Sequence, residues 1–186
     1  MRVIAGSARS VPLKSPPGDH TRPTTDRIKE TLFNIIQNEI PGCSFLDLFA
    51  GSGGIGIEAL SRGAAWCVFV ENDKAAIDCL NDNLQKTKLG DKTSVLKQDT
   101  FVALTNLEYK YTFDVIFMDP PYDKNMERRV LEYLTMSKMI DEDSLIIFEA
   151  SLDTDISYLP DLGYELVKEK RYKTNKHVFV QRMPRN

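Results

Sequence analysis

The sequence predicts an α/β fold, with a mostly parallel seven-stranded sheet, helices on both faces and an antiparallel hairpin at the C-terminal edge. Short apolar runs alternate along the chain with segments whose apolar residues recur at helical spacing. These runs are apolar throughout rather than at every second residue, which is typical of parallel strands buried on both faces. With 186 residues, the chain is long enough for one such domain with its own core.

The elements follow in order from the N-terminus. Residues 1–24 are rich in Pro, Gly and Ser, and they predict a small β-hairpin arm ahead of a main domain at residues 25–186. The first helix begins at Thr25, because apolar residues from Ile28 to Ile36 share one face. Strands are then predicted at residues 44–48, 65–70, 93–97, 113–118, 144–148, 164–169 and 177–181, with helices at 55–62, 74–85, 101–107 and 127–135.

Composition excludes several classes of protein. No apolar stretch approaches the ~20 residues of a membrane span. The first residues have no signal-peptide pattern. Three cysteines without a C-x-x-C motif, and two histidines without ligands at suitable spacing, predict neither a disulfide framework nor a metal site. We therefore expect a cytoplasmic protein, and we expect it to be a monomer.

A glycine-rich loop follows the first predicted strand. Gly51, Gly53 and Gly56 fit the G-x-G-x-x-G pattern, and Glu71 stands 20 residues beyond Gly51 at the end of the next strand, where a carboxylate can bind both ribose hydroxyls. The pattern alone allows NAD as readily as another adenosine cofactor. The residues that we expect to bind the cofactor are Asp47, Phe49, Ala50, Gly51, Ser52, Gly53, Gly56, Glu71, Asn72, Asp99, Thr100 and Asp119.

Asp47 favours one cofactor over the other. It lies at the strand end, where a dinucleotide's pyrophosphate would approach, and a carboxylate there would repel a diphosphate. S-adenosylmethionine has no phosphate and carries an ammonium and a sulfonium, so it suits an acidic loop. Asp99, after the third strand, has two open interpretations: an acceptor for the adenine amino group, or a helix N-cap.

The sequence Asp119-Pro120-Pro121-Tyr122 follows the most apolar strand. The two prolines fix an extended turn and remove two N–H donors. The Asp119 carboxylate and the Pro120 carbonyl then form a pair of acceptors that matches the two hydrogens of an exocyclic base amine. Tyr122 can stack on the base. We therefore assign Asp119, Pro120 and Tyr122 to direct methyl transfer onto such an amine.

The chain resembles the class I S-adenosylmethionine-dependent methyltransferases, and the RsmD family closely. The resemblance rests on Arg2–Gly6, the Arg-Pro-Thr-Thr-Asp-Arg run at residues 22–27, the loop at 47–53, Glu71 and residues 119–122. It implies methylation of the N2 amine of a guanine in bacterial small-subunit (16S) rRNA, with that RNA or the small subunit as partner. The residues themselves indicate only an exocyclic amine on an unstacked base.

The charge is uneven along the chain. The net charge is −3, but residues 41–164 hold 11 basic and 21 acidic residues, whereas both ends are basic. We expect the ends to bind RNA phosphates if they fold onto one face. The candidates are Arg2, Arg9, Lys14, Arg22 and Arg27 at one end, and Lys170, Arg171, Lys173 and Lys176 at the other. Arg22 and Arg27 could instead pair with the acidic side chains Asp26 and Glu30.

Three other functions remain open from sequence. The Asp-Pro-Pro-Tyr motif also serves adenine-N6 methylation of DNA, although this chain has little room for a sequence-reading domain. A Rossmann-type NAD oxidoreductase is disfavoured by Asp47. A non-catalytic RNA-binding or assembly factor could retain the same fold.

Overall fold

A computed structural model describes residues 1–16, 26–121 and 125–184 of the chain. Five α-helices and seven strands alternate within these ranges, and every strand expected from the sequence is present. The helices are α1 Asp26–Ile35, α2 Gly54–Ser61, α3 Lys74–Thr87, α4 Thr100–Leu107 and α5 Met126–Leu134. The strands are β1 Ser44–Leu48, β2 Trp66–Glu71, β3 Thr93–Lys97, β4 Val115–Met118, β5 Leu145–Ser151, β6 Tyr164–Arg171 and β7 Asn175–Arg182.

The strands form one sheet in the order β3-β2-β1-β4-β5-β7-β6. The first five are parallel, and β7 is antiparallel to both β5 and β6. Leu48, at the end of β1, is in register with Val70 on one side and Met118 on the other. The strand order reverses between β1 and β4, and in open α/β sheets this is where ligands bind, beyond the carboxyl ends.

Helices cover both faces, as the apolar strands predicted. One buried cluster joins Phe45 of β1 to side chains of α1, α2 and α3. The other joins Leu46, the next residue of β1, to side chains of α4 and α5. Because successive strand residues face opposite sides, β1 to β5 and β7 contribute to both clusters, whereas β6 contributes Tyr164 to the second. This is the Rossmann-like α/β fold expected from the sequence.

Within residues 1–16, the N-terminal arm folds back on itself as a short antiparallel pair. Arg2 and Pro12 form a bridge, and backbone amides of Val3 and Leu13 donate to the carbonyls of Val11 and Met1 at 3.0 Å each. Val3, Ala8 and Leu13 are buried in the same cluster as α1, α2 and α3. The arm is therefore an integral part of the domain's packing, whereas the predicted boundary at residues 24 and 25 lies outside the described residues.

The arm reaches α2 at Gly6. A Cβ added to Gly6 would lie 1.8 Å from the carbonyl oxygen of Ser61, so no larger residue fits there. The amide of Ser7 donates to that same oxygen at 2.8 Å, and Ser61 Oγ donates to the Ala5 carbonyl at 2.6 Å. Close backbone approach explains why the arm ends its first extended stretch in a glycine.

The C-terminal edge is longer than predicted. Strand β5 runs on from Phe148 to Ser151, because Glu149, Ala150 and Ser151 pair with the start of β7. The tail expected to bind RNA is mostly strand, and Lys176 is buried, with Nζ donating to the Thr154 carbonyl at 2.9 Å. The suggestion that Lys176 contacts RNA is therefore wrong, since its ammonium is used inside the protein.

Candidate active site

The glycine-rich loop has the backbone conformation that its sequence predicts. Gly51 and Gly53 have φ of 55° and 80°, in the left-handed region, and the Gly53 amide donates to the Ala50 carbonyl at 2.8 Å. Phe49 is also left-handed, with φ 61°, although it has a side chain. Strain of this kind is found at functional sites. The loop turns tightly from β1 into α2.

Gly56 is required by packing between helix and sheet. A Cβ at this position would lie 2.3 Å from the Phe69 ring and 2.7 Å from the Cys67 sulfur. Both neighbours are buried on β2. The third glycine of the pattern therefore brings α2 against the sheet, the packing role that this position has in dinucleotide-binding loops.

Asp47 is fully enclosed, with 2% of its surface exposed. Its Oδ2 accepts a hydrogen bond from the Gly56 amide at 2.9 Å, so it fixes the start of α2. Burial raises the pKa of Asp47 well above its usual range, and the neighbouring Asp119 and Glu71 carboxylates act in the same direction. Because a raised pKa favours the neutral carboxyl, Asp47 repels a diphosphate less strongly than its sequence position predicts.

Glu71 stands beside the loop at the end of β2. Its Oε2 accepts from the Gly51 amide at 2.8 Å, and its Oε1 accepts from the amides of Asn72 and Asp73 at 2.8 and 2.9 Å. The carboxylate is thus held at the mouth of the loop by three backbone donors. A ribose here would meet an oriented acceptor.

Asp99 caps α4. Its Oδ1 accepts from the amides of Phe101 and Val102 at 2.8 and 3.4 Å, and Thr100 is buried at the first position of the helix. Of the two interpretations open from sequence, the N-cap is the one that the hydrogen bonds describe. Contact with adenine stays a prediction for Asp99 and Thr100.

Asp119 and Pro120 follow β4 on the other side of β1. Asp119 is partly exposed, Pro120 is buried and Pro121 is exposed. Burial, with the nearby Glu149 carboxylate as the second cause, raises the pKa of Asp119 to about 8. Tyr122, the stacking residue expected from the sequence, lies outside the described residues, as does Arg22.

A polar cluster that the sequence analysis missed lies behind Asp119. Glu149 of β5 accepts from Asn175 Nδ2 at 2.6 Å and lies 3.2 Å from His177 Nε2. The other ring nitrogen of His177 is 3.2 Å from the Tyr172 hydroxyl. Glu149 and His177 are both buried, on paired strands. Glu149 follows the predicted end of β5 and gave no local signal, because its partner His177 lies on a strand 28 residues further along the chain.

A cavity of about 340 Å³ opens beside Pro120. It lies between the start of α5 and the segment after β5, and its walls include Glu127, Arg128, Glu149 and Tyr158. Arg128 places its guanidinium 4.9 Å from the centre of the Tyr158 ring. The sequence analysis did not single out these residues.

Two of the three cysteines, Cys43 and Cys67, are unsuited to act as a nucleophile. Cys43 and Cys67 are buried, and burial raises the pKa of Cys43 to about 12 and that of Cys67 well above its usual range. A thiol in such surroundings stays protonated and inert. Within the described part of the chain, no group of three or more His, Cys, Asp or Glu side chains could hold a metal ion.

The basic candidates are spread over the surface, and several already have acidic partners. Arg2 pairs with Asp26 at 3.4 Å, Lys14 with Asp82 at 2.5 Å, and Arg171 with Glu169 at 2.8 Å. Of the remaining described candidates, Arg9, Arg27 and Lys173 are exposed, and Lys170 is half-buried on β6. Asp26 thus pairs across the arm rather than with its sequence neighbour Arg27.

Comparison with known proteins decides the family. A family model described as "Conserved hypothetical protein 95" matches residues 1–181. The chain belongs to this family. Its similarity to the RsmD family, expected from the sequence, is confirmed by members of known name: "Putative rRNA methyltransferase YlbH" of Bacillus subtilis is 40% identical over 172 residues, 92% of each chain.

Two further members extend the match. "Ribosomal RNA small subunit methyltransferase D" of Haemophilus influenzae is 36% identical over 171 residues, covering 91% of this chain and 88% of that protein. A solved structure, "Putative methyltransferase yhhF from Escherichia coli", is 31% identical with a TM-score of 0.87, over 100% of this chain and 99% of the other. Fold and family therefore agree along the full length. None of the helices in the described ranges has the length and apolar character of a membrane span.

Proposed function

We propose that this protein transfers a methyl group from S-adenosylmethionine to the exocyclic N2 amine of a guanine in small-subunit ribosomal RNA. Two of the relatives named above are called rRNA methyltransferases, and the one from Haemophilus influenzae carries the small subunit in its name. Such a substrate places the reaction in the cytoplasm. The proposal covers the RNA, the base and the cofactor together.

One observation carries the proposal: the glycine loop with Glu71 and the Asp119–Pro120 turn lie beyond adjacent strands. Leu48 is in register with both Val70 and Met118, so the loop after β1 is flanked by Glu71 and Asp119. Glu71 has the position and charge to hold a ribose. Asp119 and the Pro120 carbonyl have the acceptors to hold an amine.

The cofactor would supply an electrophilic methyl group on a sulfonium. The protein's part is to present the amine nitrogen in line with that methyl group. Two N–H···O bonds, to the Asp119 carboxylate and the Pro120 carbonyl, would localise the nitrogen lone pair and point it at the methyl group. The bond between nitrogen and carbon would form as the bond between carbon and sulfur breaks, and the nitrogen would then release one proton to the Asp119 carboxylate or to water.

The reaction is tested by incubating the protein with labelled S-adenosylmethionine and either naked small-subunit RNA or assembled subunits. The modified base is then mapped by mass spectrometry. We expect N2-methylguanine at one position. Label on adenine, or on DNA instead of RNA, would replace the proposal by the adenine-N6 alternative, and no transfer to any nucleic acid would leave the non-catalytic binding factor.

The cofactor site is tested with Glu71→Ala. Loss of charge-assisted bonds to the ribose should weaken S-adenosylmethionine binding by about 1.5–3 kcal/mol, measured by calorimetric titration. Glu142→Ala is the control, since Glu142 is exposed and precedes β5, at the end of the parallel strands opposite to Glu71. Equal affinities for wild type and Glu71→Ala, or wild-type binding of NAD instead, would reject this cofactor site.

The chemical step is tested with Asp119→Ala. Turnover should fall by about 10²-fold or more, in the range of losing one oriented group at a reacting centre. Cofactor affinity should change little, because Asp119 addresses the base. Single-turnover rates and titration separate the two effects. A large loss of cofactor affinity with unchanged single-turnover rate would place Asp119 in the cofactor site alone.

A further inference from the structure

We propose that the cavity beside Pro120 receives the target guanine, and that the Tyr158 hydroxyl selects guanine by donating a hydrogen bond to its O6. The inference rests on the proposed function, because it names the residue that recognises the base. It adds a specificity-determining residue that the sequence motifs do not contain.

The position of the cavity is the first argument. Pro120, whose carbonyl is one of the two acceptors for the amine, is also part of the cavity wall. A base whose amine is held at Asp119 and Pro120 must place the rest of its ring somewhere next to them. The space of about 340 Å³ between α5 and the segment after β5 is open for it.

The Tyr158 hydroxyl is the second argument. Its oxygen is buried, and it has no hydrogen-bond partner among the described residues, although Tyr158 lines a polar cavity. Buried hydroxyls are nearly always paired, so an unpaired one at a cavity wall indicates a ligand atom. Burial and the Glu127 carboxylate raise the pKa of Tyr158, which keeps the hydroxyl protonated and able to donate.

Arg128 holds Tyr158 in place. The guanidinium lies 4.9 Å from the ring centre, and it is tied in turn to Glu132 at 3.0 Å, one helical turn along α5. The ring is thus restrained by a cation over its face before any base arrives. A restrained donor discriminates better than a mobile one, since it cannot turn to suit a different base.

The order of polar groups fits guanine. Along its edge guanine presents the N2 amine, the N1–H donor and the O6 acceptor, whereas the ring nitrogens beside the N6 amine of adenine are acceptors. Glu149 follows Phe148 in β5 just as Asp119 follows Met118 in β4, so the two carboxylates are neighbours. Carboxylates at Asp119 and Glu149, with a hydroxyl donor at Tyr158, complement guanine and oppose adenine.

The test compares two bases in one RNA. The mapped target guanosine is replaced by 2-aminopurine riboside, which keeps the 2-amine but lacks O6 and the N1–H. Single-turnover methylation rates at saturating S-adenosylmethionine give a guanine/2-aminopurine ratio for each variant. We expect a ratio of about 100 or more for wild type, and a ratio at least tenfold lower for Tyr158→Phe. The variant removes the hydrogen bond to O6 of guanine, whereas 2-aminopurine has no O6 and loses nothing.

Two measurements keep this test interpretable. Tyr111→Phe is the matched control, since Tyr111 lies at the opposite end of the strands and should keep the wild-type ratio. Thermal unfolding of Tyr158→Phe should match or exceed that of wild type, because the lost hydroxyl has no internal partner. A lowered melting temperature would show that the hydroxyl is paired within the protein, which overturns the proposal.

An unchanged ratio in Tyr158→Phe, with guanine still methylated, overturns this inference and leaves the proposed function standing. Absence of methylation in the wild-type protein overturns both. A ratio that falls in Tyr158→Phe and holds in Tyr111→Phe assigns the selection of guanine to the Tyr158 hydroxyl.

Discussion

At the scale of single residues, the site is a set of carboxylates whose burial is normally unfavourable. Asp47 lies in β1, Asp119 directly follows β4 and Glu149 lies in β5, all near the carboxyl ends of adjacent strands, and Asp47 and Glu149 are buried. Their mutual repulsion and the low polarity around them favour the neutral form of at least one member. Buried carboxylates with perturbed pKa values are typical of functional sites, where their acceptor oxygens are used.

Asp119 should therefore make activity depend on pH. The protonated carboxyl has fewer acceptor sites for the amine than the carboxylate. Because the pKa of Asp119 is raised to about 8, the carboxylate fraction grows as pH rises, and kcat/KM should climb through that region and level off above it. A profile that falls between pH 6 and pH 8 would contradict a carboxylate role.

Glu149→Gln removes the second cause of that shift. Without the neighbouring charge, the pKa of Asp119 should fall, and the rise in kcat/KM should move to lower pH. The matched control is Asp153→Asn, which also lines the cavity but is exposed. The inflection should stay in place in Asp153→Asn. An equal shift in both variants would assign the effect to the general charge of the cavity rather than to Glu149.

At the scale of elements, one side chain ties the arm to the cofactor loop. Asn83 of α3 is buried; it accepts from the Lys14 amide at 2.8 Å and donates to the carbonyls of Lys14 and Ser52 at 2.9 Å each. The arm, the helix and the glycine loop are therefore joined through a single amide. The arm's contribution to the site is to hold the loop.

Asn83→Ala should loosen both ends of that link. Leaving a buried carbonyl of Ser52 and two partly buried backbone groups of Lys14 unpaired should cost about 2–3 kcal/mol of unfolding free energy, measured by urea denaturation. S-adenosylmethionine affinity should fall as well, since the Ser52 carbonyl is part of the loop. Asn81→Ala, an exposed change two residues earlier in α3, should alter neither quantity. Lost stability with unchanged affinity would confine Asn83 to a role in the arm.

The sequence predicted the elements that have a local signal. Mostly apolar runs predicted β1, β2 and β4 to within two residues, because these strands are buried on both faces. The glycine loop and the Asp-Pro-Pro turn were found from backbone requirements alone. Glu149, Asn175 and His177 were missed, because their burial depends on antiparallel pairing between distant segments, and a polar residue at a strand end gives no sign of its partner.

At the scale of the whole molecule, the places of the two basic chain ends determine where RNA phosphates can bind. The arm lies against α2 and α3, while the β6–β7 hairpin forms the far edge of the sheet beyond β5. The two basic ends therefore lie in different parts of the fold. Ion pairs at Lys14 and Arg171 and the burial of Lys176 further reduce the free positive charge. RNA phosphates should then be bound by few residues, which gives the binding a shallow dependence on salt.

Arg9→Ala tests this expectation directly. Arg9 is exposed on the arm, so each phosphate contact that it makes should add roughly 0.7–0.9 to the slope of log affinity against log salt, and the variant should lose that amount. Lys14→Ala should lose less, since Asp82 already neutralises the ammonium. Lys92→Ala, exposed beside β3 at the other edge of the sheet, serves as the control with an unchanged slope. Cofactor affinity and melting temperature should hold in Arg9→Ala and Lys92→Ala. If the slope for Arg9→Ala equals that of wild type, the arm does not bind RNA, and the hairpin with Lys170 and Lys173 becomes the surface to mutate next.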